Sequence, residues 1–355
     1  MGRGVGLLRL GWAGLGGTDC NVERDDVNAP IQAAPDRSKF LGGSDAAAVM
    51  GLSPWATPVE LWQQKTGRKP SPEPDAAAIK RFERGHRLEP FIRDMAIAKL
   101  QDMGCEVELV AANARYTDPE HAFLSCEIDF ELRVTGDVEI GGVIYSLDGE
   151  VINADAKSVT GFARKKWGEV DTEDVPIEYA AQFMHGLMIT GRRLCLVAAL
   201  RSFDDVDVFW TVRDDETIAG MRPRLVSFWV DHVLADVPPD PLDFSDIKEL
   251  FPLDNGEAVE ANQDIADKVL RLQQIKAEIK EREEIEEALK FEIADFISPH
   301  SRLTRNGMDL MTWKAQQTKR LDTDALKEAK PEIYAEFLKT TTTRVLRFVK
   351  PKKGA

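Results

Sequence analysis

The residues best suited to chemistry lie in one stretch, Asn153-Ala154-Asp155-Ala156-Lys157-Ser158. It reads as a β-strand, with Asn153, Asp155 and Lys157 on one face and Ala154 and Ala156 on the other. An acid and a lysine two apart on one strand face suit hydrolysis of a phosphodiester. The acid holds a hard cation through oxygen, and the lysine sits beside the scissile phosphate or the attacking water. A lone D-x-K occurs by chance in most proteins, so its company carries the weight. That company is a second acidic strand (Ser125 to Leu132), a helix with an isolated glutamate (Glu89), and a helix carrying Gln182 and His185.

The second strand alternates strictly. Leu124, Cys126, Ile128, Phe130 and Leu132 face a core, while Ser125, Glu127, Asp129 and Glu131 face the other way. Three carboxylates on one strand face repel unless solvent or a cation offsets them. Solvation at an exposed edge and a metal site are the two readings. With no histidine or thiolate in the set, a bound ion would be Mg²⁺ or Mn²⁺ rather than zinc. Glu89 stands beside apolar neighbours, between Gly85 and Pro90, and from spacing alone reads as a solvated glutamate. Tyr179, Gln182 and His185 share one helix face at three-residue spacing. A lone histidine of this kind is more often a structural hydrogen-bonder than a ligand.

These residues need elements to hold them. A chain of 355 residues, 43% hydrophobic, suits one large domain or two ordinary ones. The net charge of −15 argues against a general polyanion binder but leaves room for a local basic stripe. The four cysteines (Cys20, Cys105, Cys126, Cys195) are scattered, which speaks against a zinc ribbon or an iron–sulfur cluster and fits reduced thiols in a cytosol. Apolar runs are too short for a membrane span.

Taken in order, residues 1–35 read as a disordered or loosely attached segment rich in glycine. The folded part is expected over 36–240. Leu41-Gly42-Gly43-Ser44-Asp45 opens a short helix with Ser44 or Asp45 as N-cap. Free N–H groups there suit a phosphate, and Arg37 could add a cation, although spacing alone fits an ordinary capped helix. A helix over 59–66 follows, flanked by Trp55 and carrying Trp62, both read as core residues in preference to base-stacking ones. A long helix spans 75–103, interrupted at Gly85 and Pro90. Strands are expected over 105–110 and 114–117, then, over 138–151, a hairpin turning at Gly141-Gly142 or a longer excursion. Lys165-Lys166-Trp167-Gly168 makes a small basic loop. Helix 177–190, strands 194–201 and 206–212, and helix 214–234 lead to Pro238-Pro239. The C-terminal part, 241–355, holds a long amphipathic helix (257–297), a hairpin at Asn306-Gly307, a helix over 323–338 interrupted at Pro331, a strand over 341–349 and a basic tail.

The order of these motifs resembles the YqaJ-like viral recombinase nucleases, a group that includes phage lambda exonuclease and belongs to the PD-(D/E)XK nucleases. The residues are Leu41 to Trp55 with Thr57-Pro58, Glu60-Leu61-Trp62 with Lys65-Thr66-Gly67, and Gly85 with Glu89-Pro90. Asp129, Asp155 with Lys157, Trp167-Gly168, and Pro176, Tyr179, Gln182 and His185 complete the set. The match covers roughly 37–200.

The resemblance implies an α/β (α+β) fold, a mixed central sheet flanked by helices, with a C-terminal helical arm and a small α/β appendage. It implies a metal-dependent exonuclease acting 5′-to-3′ on double-stranded DNA ends and leaving 3′ single strands for recombination. Asp129, Asp155 and the Ala156 carbonyl would hold Mg²⁺ or Mn²⁺. Glu89 would complete the acidic cluster, Lys157 would polarise the attacking water and Gln182 would support it. Arg37 and Ser44 would hold the 5′-terminal phosphate. His185 and Tyr179 are lesser candidates. A ring-like homo-oligomer, a single-strand annealing partner and a cytoplasmic setting in a bacterial or phage-infected cell are also implied. Two departures stand out. Glu127, Ile128 and Phe130 flank Asp129 where small residues, proline and glycine are usual, and the gap from Asp129 to Asp155 is long. A PD-(D/E)XK endonuclease and a non-catalytic DNA-binding scaffold are the alternatives.

Overall fold

The computed structural model describes residues 22–23, 36–69, 75–159, 161–202 and 205–349. Contacts divide the chain into two units that meet between Leu250 and Phe251. Of the expected loose segment 1–35, all but Val22–Glu23 lies outside the described residues. That pair forms β1, antiparallel to β2 with Val22 opposite Tyr116.

The first unit is built on a six-stranded sheet in sequence order. Its strands after β1 are β2 (Glu106–Thr117), β3 (Ser125–Ile140), β4 (Val143–Ser158), β5 (Leu194–Leu200) and β6 (Asp207–Val212). Neighbours are antiparallel except β4 and β5, which run parallel. A parallel pair needs a crossover, and α4 (Ile177–Thr190) supplies it. The sheet is therefore mixed and flanked by helices, as expected.

Helices cover both faces. On one side α3 (Ala76–Asp102) lays Ile92, Ala96 and Leu100 against Phe130, Leu132, Ile152, Ala154 and Leu196. On the other, α1 (Gly43–Val49), α2 (Pro58–Lys65), α4 and α5 (Asp215–Ser227) pack with Cys126, Ile128, Cys195 and Val197. The alternating apolar residues of β3 thus serve two cores: Cys126 and Ile128, with Leu124 just before the strand, belong to the second cluster, Phe130 and Leu132 to the first. Asp129 sits at the change-over.

Several details differ from the sequence reading. Pro90 lies within a continuous α3, so the helix is not interrupted there. The N-cap of α1 is Gly42; Asp45 instead accepts from the Gly42 N–H at 2.9 Å. The two short strands expected before residue 118 are one strand, with a register shift between Leu109 and Ala111. A short helix, α6 (Phe244–Leu250), belongs to the first unit. Thr57 Oγ1 donates to Asp246 Oδ1 at 2.6 Å and Lys69 meets Glu249 at 3.0 Å, so this unit runs past the boundary expected near 240.

The second unit contains α7 (Gln263–Ile297), a β7–β8 hairpin (Arg302–Arg305, Met308–Thr312), α8 (Thr323–Ala329) and α9 (Pro331–Phe337). Asn262 caps α7 by accepting from the Ile265 N–H at 3.0 Å, which sets the helix start later than 257. Residues 341–349, expected as a strand, take no regular structure. Their run of threonines favours extended backbone, but no partner strand pairs with them among the described residues.

Candidate active site

The site lies where β3 and β4 part. Their pairing ends at Phe130 opposite Ala154. One residue earlier, Asp129 takes the place of a ladder partner: the Ala156 N–H donates to Asp129 Oδ2 at 2.9 Å. On its far side β3 keeps its register with β2, Ala112 opposite Phe130 and Ala114 opposite Ile128. The residue between them, Asn113, adopts a left-handed φ of 53°, which asparagine tolerates better than most residues. Meanwhile β4 stays paired with β5 from Asn153 to Ser158. One strand is held rigid while its neighbour peels away, and two carboxylates meet in the gap.

Two-residue spacing places Lys157 beside Asp155, with Nζ 2.5 Å from Oδ1. Gln182, from α4, donates its amide to the other oxygen, Oδ2, at 3.3 Å. The lysine lies 5.3 Å from the Tyr179 ring centre and 5.5 Å from that of Phe183. Glu89 projects from α3 just before its packed half; it is half-buried and meets His86 Nδ1 at 3.1 Å.

Three acids therefore share one nearby ammonium. Burial, then Asp155, push the Asp129 carboxyl up to about 7. Asp155 is also raised, by burial first, against the opposing pull of Lys157. Glu89 is raised by burial and by Asp129. Burial works against the charge on Lys157, but Asp155 and Asp129 together outweigh it and the ammonium is stabilised. Tyr179 is raised by burial, so its phenol stays neutral.

Buried carboxylates held above their ordinary range are short of positive charge, and a hard divalent cation would supply it. The donor set fits: Asp129 and Asp155 are oxygen ligands, and the nearby Cys195 thiol is raised well above its ordinary value by burial, which keeps it protonated. Among the described residues no group of three or more ligating side chains converges. The acids form a pair, with Glu89 turned towards His86 and within electrostatic reach of Asp129.

Arg37 and Ser44 line the same cleft as Asp129, Asp155 and Gln182, a cavity of about 520 Å³. Arg37 Nη2 donates to Ser44 Oγ at 2.6 Å. Gly43 sits directly on Gln182: a Cβ there would lie 3.1 Å from Gln182 Cγ and 3.3 Å from its carbonyl oxygen. This close approach joins the Arg37–Ser44 pair to the residue that contacts Asp155.

The family model for the YqaJ-like viral recombinase domain matches residues 34–193. The matched stretch contains every side chain of the site described above except Cys195. The chain is 27% identical over 325 residues to the uncharacterized protein YqaJ of Bacillus subtilis (strain 168), covering 87% of this chain and 91% of that protein. The alkaline exonuclease LHK-Exo from Laribacter hongkongensis is 20% identical, covers 57% of this chain and 91% of its own, and superposes with a TM-score of 0.38. Its complex with dAMP gives 60% and 94% coverage at the same TM-score, 0.38.

Not every expected residue joins the cluster. His185 is fully buried; its Nε2 donates to the Ser125 carbonyl at 2.9 Å and burial lowers its pKa. It is a neutral strut between α4 and β3. The expected repulsion along β3 is relieved residue by residue: Arg115 Nε donates to Glu127 at 3.0 Å, and Arg192 meets the fully buried Glu131 at 3.0 Å.

Two residues with structural importance escaped the sequence reading. Lys65, almost wholly buried, donates to the Arg37 carbonyl at 2.6 Å, the Phe40 carbonyl at 2.7 Å and Asp45 Oδ2 at 2.8 Å. It fixes the Arg37 segment to α1. Arg192 donates to Asn153 Oδ1 at 2.8 Å and to the Tyr116 hydroxyl at 2.8 Å, bracing β4 two residues before Asp155. Lys65 stood in the motif that carried the resemblance, but nothing in its spacing announced a buried ammonium. Arg192 carried no signal at all.

Proposed function

We propose that this protein is a metal-dependent deoxyribonuclease that degrades double-stranded DNA from 5′ ends and leaves 3′ single strands for recombination. The observation that carries the reading is the pairing of half-buried Asp129 and buried Asp155 with a charged Lys157 at the point where two strands part. The match to the YqaJ-like domain model and the Arg37–Ser44 pair in the same cleft support it.

Asp129, Asp155 and the Ala156 carbonyl would hold Mg²⁺ or Mn²⁺. Such a cation neutralises charge on the phosphoryl oxygens and lowers the pKa of a bound water. The chain's own residues do the rest. Lys157, held protonated, donates hydrogen bonds to the attacking water or the scissile phosphate and does not act as a base. Gln182 fixes the rotamer of Asp155 through its amide. Glu89, with a raised pKa, takes up or releases a proton near the departing strand. Arg37 and Ser44 hold the terminal 5′-phosphate, with Lys65 locking the Arg37 backbone in place.

No helix among the described residues is long and apolar enough to cross a membrane. The reading extends to a cytoplasmic enzyme that works as a ring-like homo-oligomer beside a single-strand annealing protein. The test compares an end-labelled linear duplex with a covalently closed circle, each with and without Mg²⁺. Loss of the linear duplex alone, and only with the cation, is expected. Cleavage of the closed circle would make the enzyme an endonuclease, and no cation-dependent loss of either DNA would leave a binding scaffold.

A further inference from the structure

We infer that Trp55 is a stacking platform for a nucleobase of the strand being cut, set one aromatic ring away from Lys157, with the basic turn Gly161–Lys166 beside it holding the strand's phosphates. The inference rests on the nuclease reading of the Asp155–Lys157 site and adds a substrate contact to it.

Two tryptophans stand close together in this sequence and the structure separates them. Trp62 is 4% exposed; its indole N–H donates to the His232 carbonyl at 3.0 Å, and Arg68 covers its ring. It is a core residue. Trp55 is 65% exposed. Its ring rests on Tyr179 with centres 5.8 Å apart, and the Tyr179 ring in turn carries the Lys157 ammonium at 5.3 Å. An open aromatic face is thus two contacts from the lysine that would face the scissile phosphate.

The turn Gly161–Lys166 approaches the same place. Arg164, Lys165 and Lys166 are exposed, and Lys166 meets Glu178 at 3.2 Å, the residue before Tyr179. Trp167, next in the chain, is buried with its ring 5.8 Å from Tyr179. In a chain of net charge −15, three adjacent exposed cations beside an exposed tryptophan make a local exception. Sites for single-stranded nucleic acid combine these two features: cations follow the backbone, and aromatic rings take the bases without regard to sequence. The platform is also preset. Ser53 Oγ accepts from the N–H groups of Trp55 at 3.1 Å and Ala56 at 3.3 Å, and prolines at 54 and 58 restrict the loop on both sides.

The test uses the full chain and a linear duplex with 2-aminopurine at the second nucleotide of its 5′ strand. Binding is followed in EDTA by quenching of that base, and turnover is followed separately with Mg²⁺. Wild type should quench the probe. Trp55→Ala should lose the quench and raise KM about ten-fold or more, with kcat within about three-fold, while Trp55→Phe should recover most of both. Equal quenching and equal KM in wild type and Trp55→Ala would overturn the inference, and so would a KM rise with the quench intact, which points to a protein-facing or structural tryptophan. If wild type quenches through Trp55 yet never degrades DNA, the stacking subsite stands and the nuclease reading fails alone.

Discussion

Lys157 Nζ lies 2.5 Å from Asp155 Oδ1 while Gln182 holds the opposite oxygen of the same carboxylate at 3.3 Å. The aspartate is thus pinned from two sides by residues of different elements. The neighbouring acids keep the lysine charged. A permanently charged lysine in this position is a hydrogen-bond donor and an electrostatic clamp.

Removing that charge should be felt mainly in turnover. Lys157→Met should lower kcat on a linear duplex by roughly a hundred-fold or more, the scale of one lost transition-state donor. Lys157→Arg should not restore it, because a planar fork cannot replace a compact ammonium at this distance. Steady-state kinetics with Mg²⁺ check both; near-wild-type kcat in Lys157→Met would remove the residue from the mechanism.

Asp129 makes the cation-free protein sensitive to pH. Its carboxyl rises from an ordinary value of 3.8 to about 7 in the fold. Between these values the folded state binds the extra proton and the unfolded state does not, so stability should fall as pH rises from about 4 to 7 and level off above. Urea unfolding in EDTA at pH 5 and pH 8 measures this. Asp129→Asn should flatten the difference, and an unchanged pH dependence in that variant would contradict the assignment.

Gly43 allows α1 to touch α4 at Gln182, and a methyl group there would meet backbone at 3.3 Å. Gly43→Ala should cost about 1–3 kcal/mol through overpacking. It should also weaken discrimination between 5′-phosphorylated and 5′-hydroxyl ends, because Arg37 and Ser44 move with α1. Arg37→Ala and Ser44→Ala should show the same loss of discrimination with little change in stability. Melting curves and paired rate measurements on the two kinds of end separate these effects; equal rate losses on both ends would reject the phosphate role.

Lys65 tests how the Arg37 segment is held against α1. Lys65→Met removes three hydrogen bonds and leaves Asp45 with only the more distant Arg37, at 3.5 Å, as a cationic partner. Breaking one partner of a buried pair costs about 3–5 kcal/mol. The double variant Lys65→Met with Asp45→Asn should lose less than the sum of the two single variants, which a double-mutant cycle by urea unfolding would read directly.

The acidic strand, the Asp155–Lys157 pair and the α4 triplet were legible because each depends on spacing within one element. Period-two alternation put Asp155 and Lys157 on one face, and the structure keeps them there. The Gly141-Gly142 turn was legible for the same local reason. What escaped was long-range. Glu131 looked like one of three repelling acids, yet its partner Arg192 lies on the segment between α4 and β5. Lys65 finds its three acceptors in residues 37–45, a contact that exists only once α1 and α2 have packed. The change of core at Asp129 was also hidden, because strict alternation gives no sign that β3 leaves β4 at that residue. His185 shared the spacing of Gln182 but turned to a backbone carbonyl, since a buried imidazole needs one partner and found it in Ser125.

The central claim is that Asp129 and Asp155 jointly hold one divalent cation. Isothermal titration of the DNA-free protein with Mn²⁺ tests it most directly, using wild type, Asp129→Asn and Asp155→Asn at pH 8. The account predicts a site in wild type that both single variants lose, with all three proteins folded by circular dichroism. Undiminished Mn²⁺ binding in either variant would contradict it.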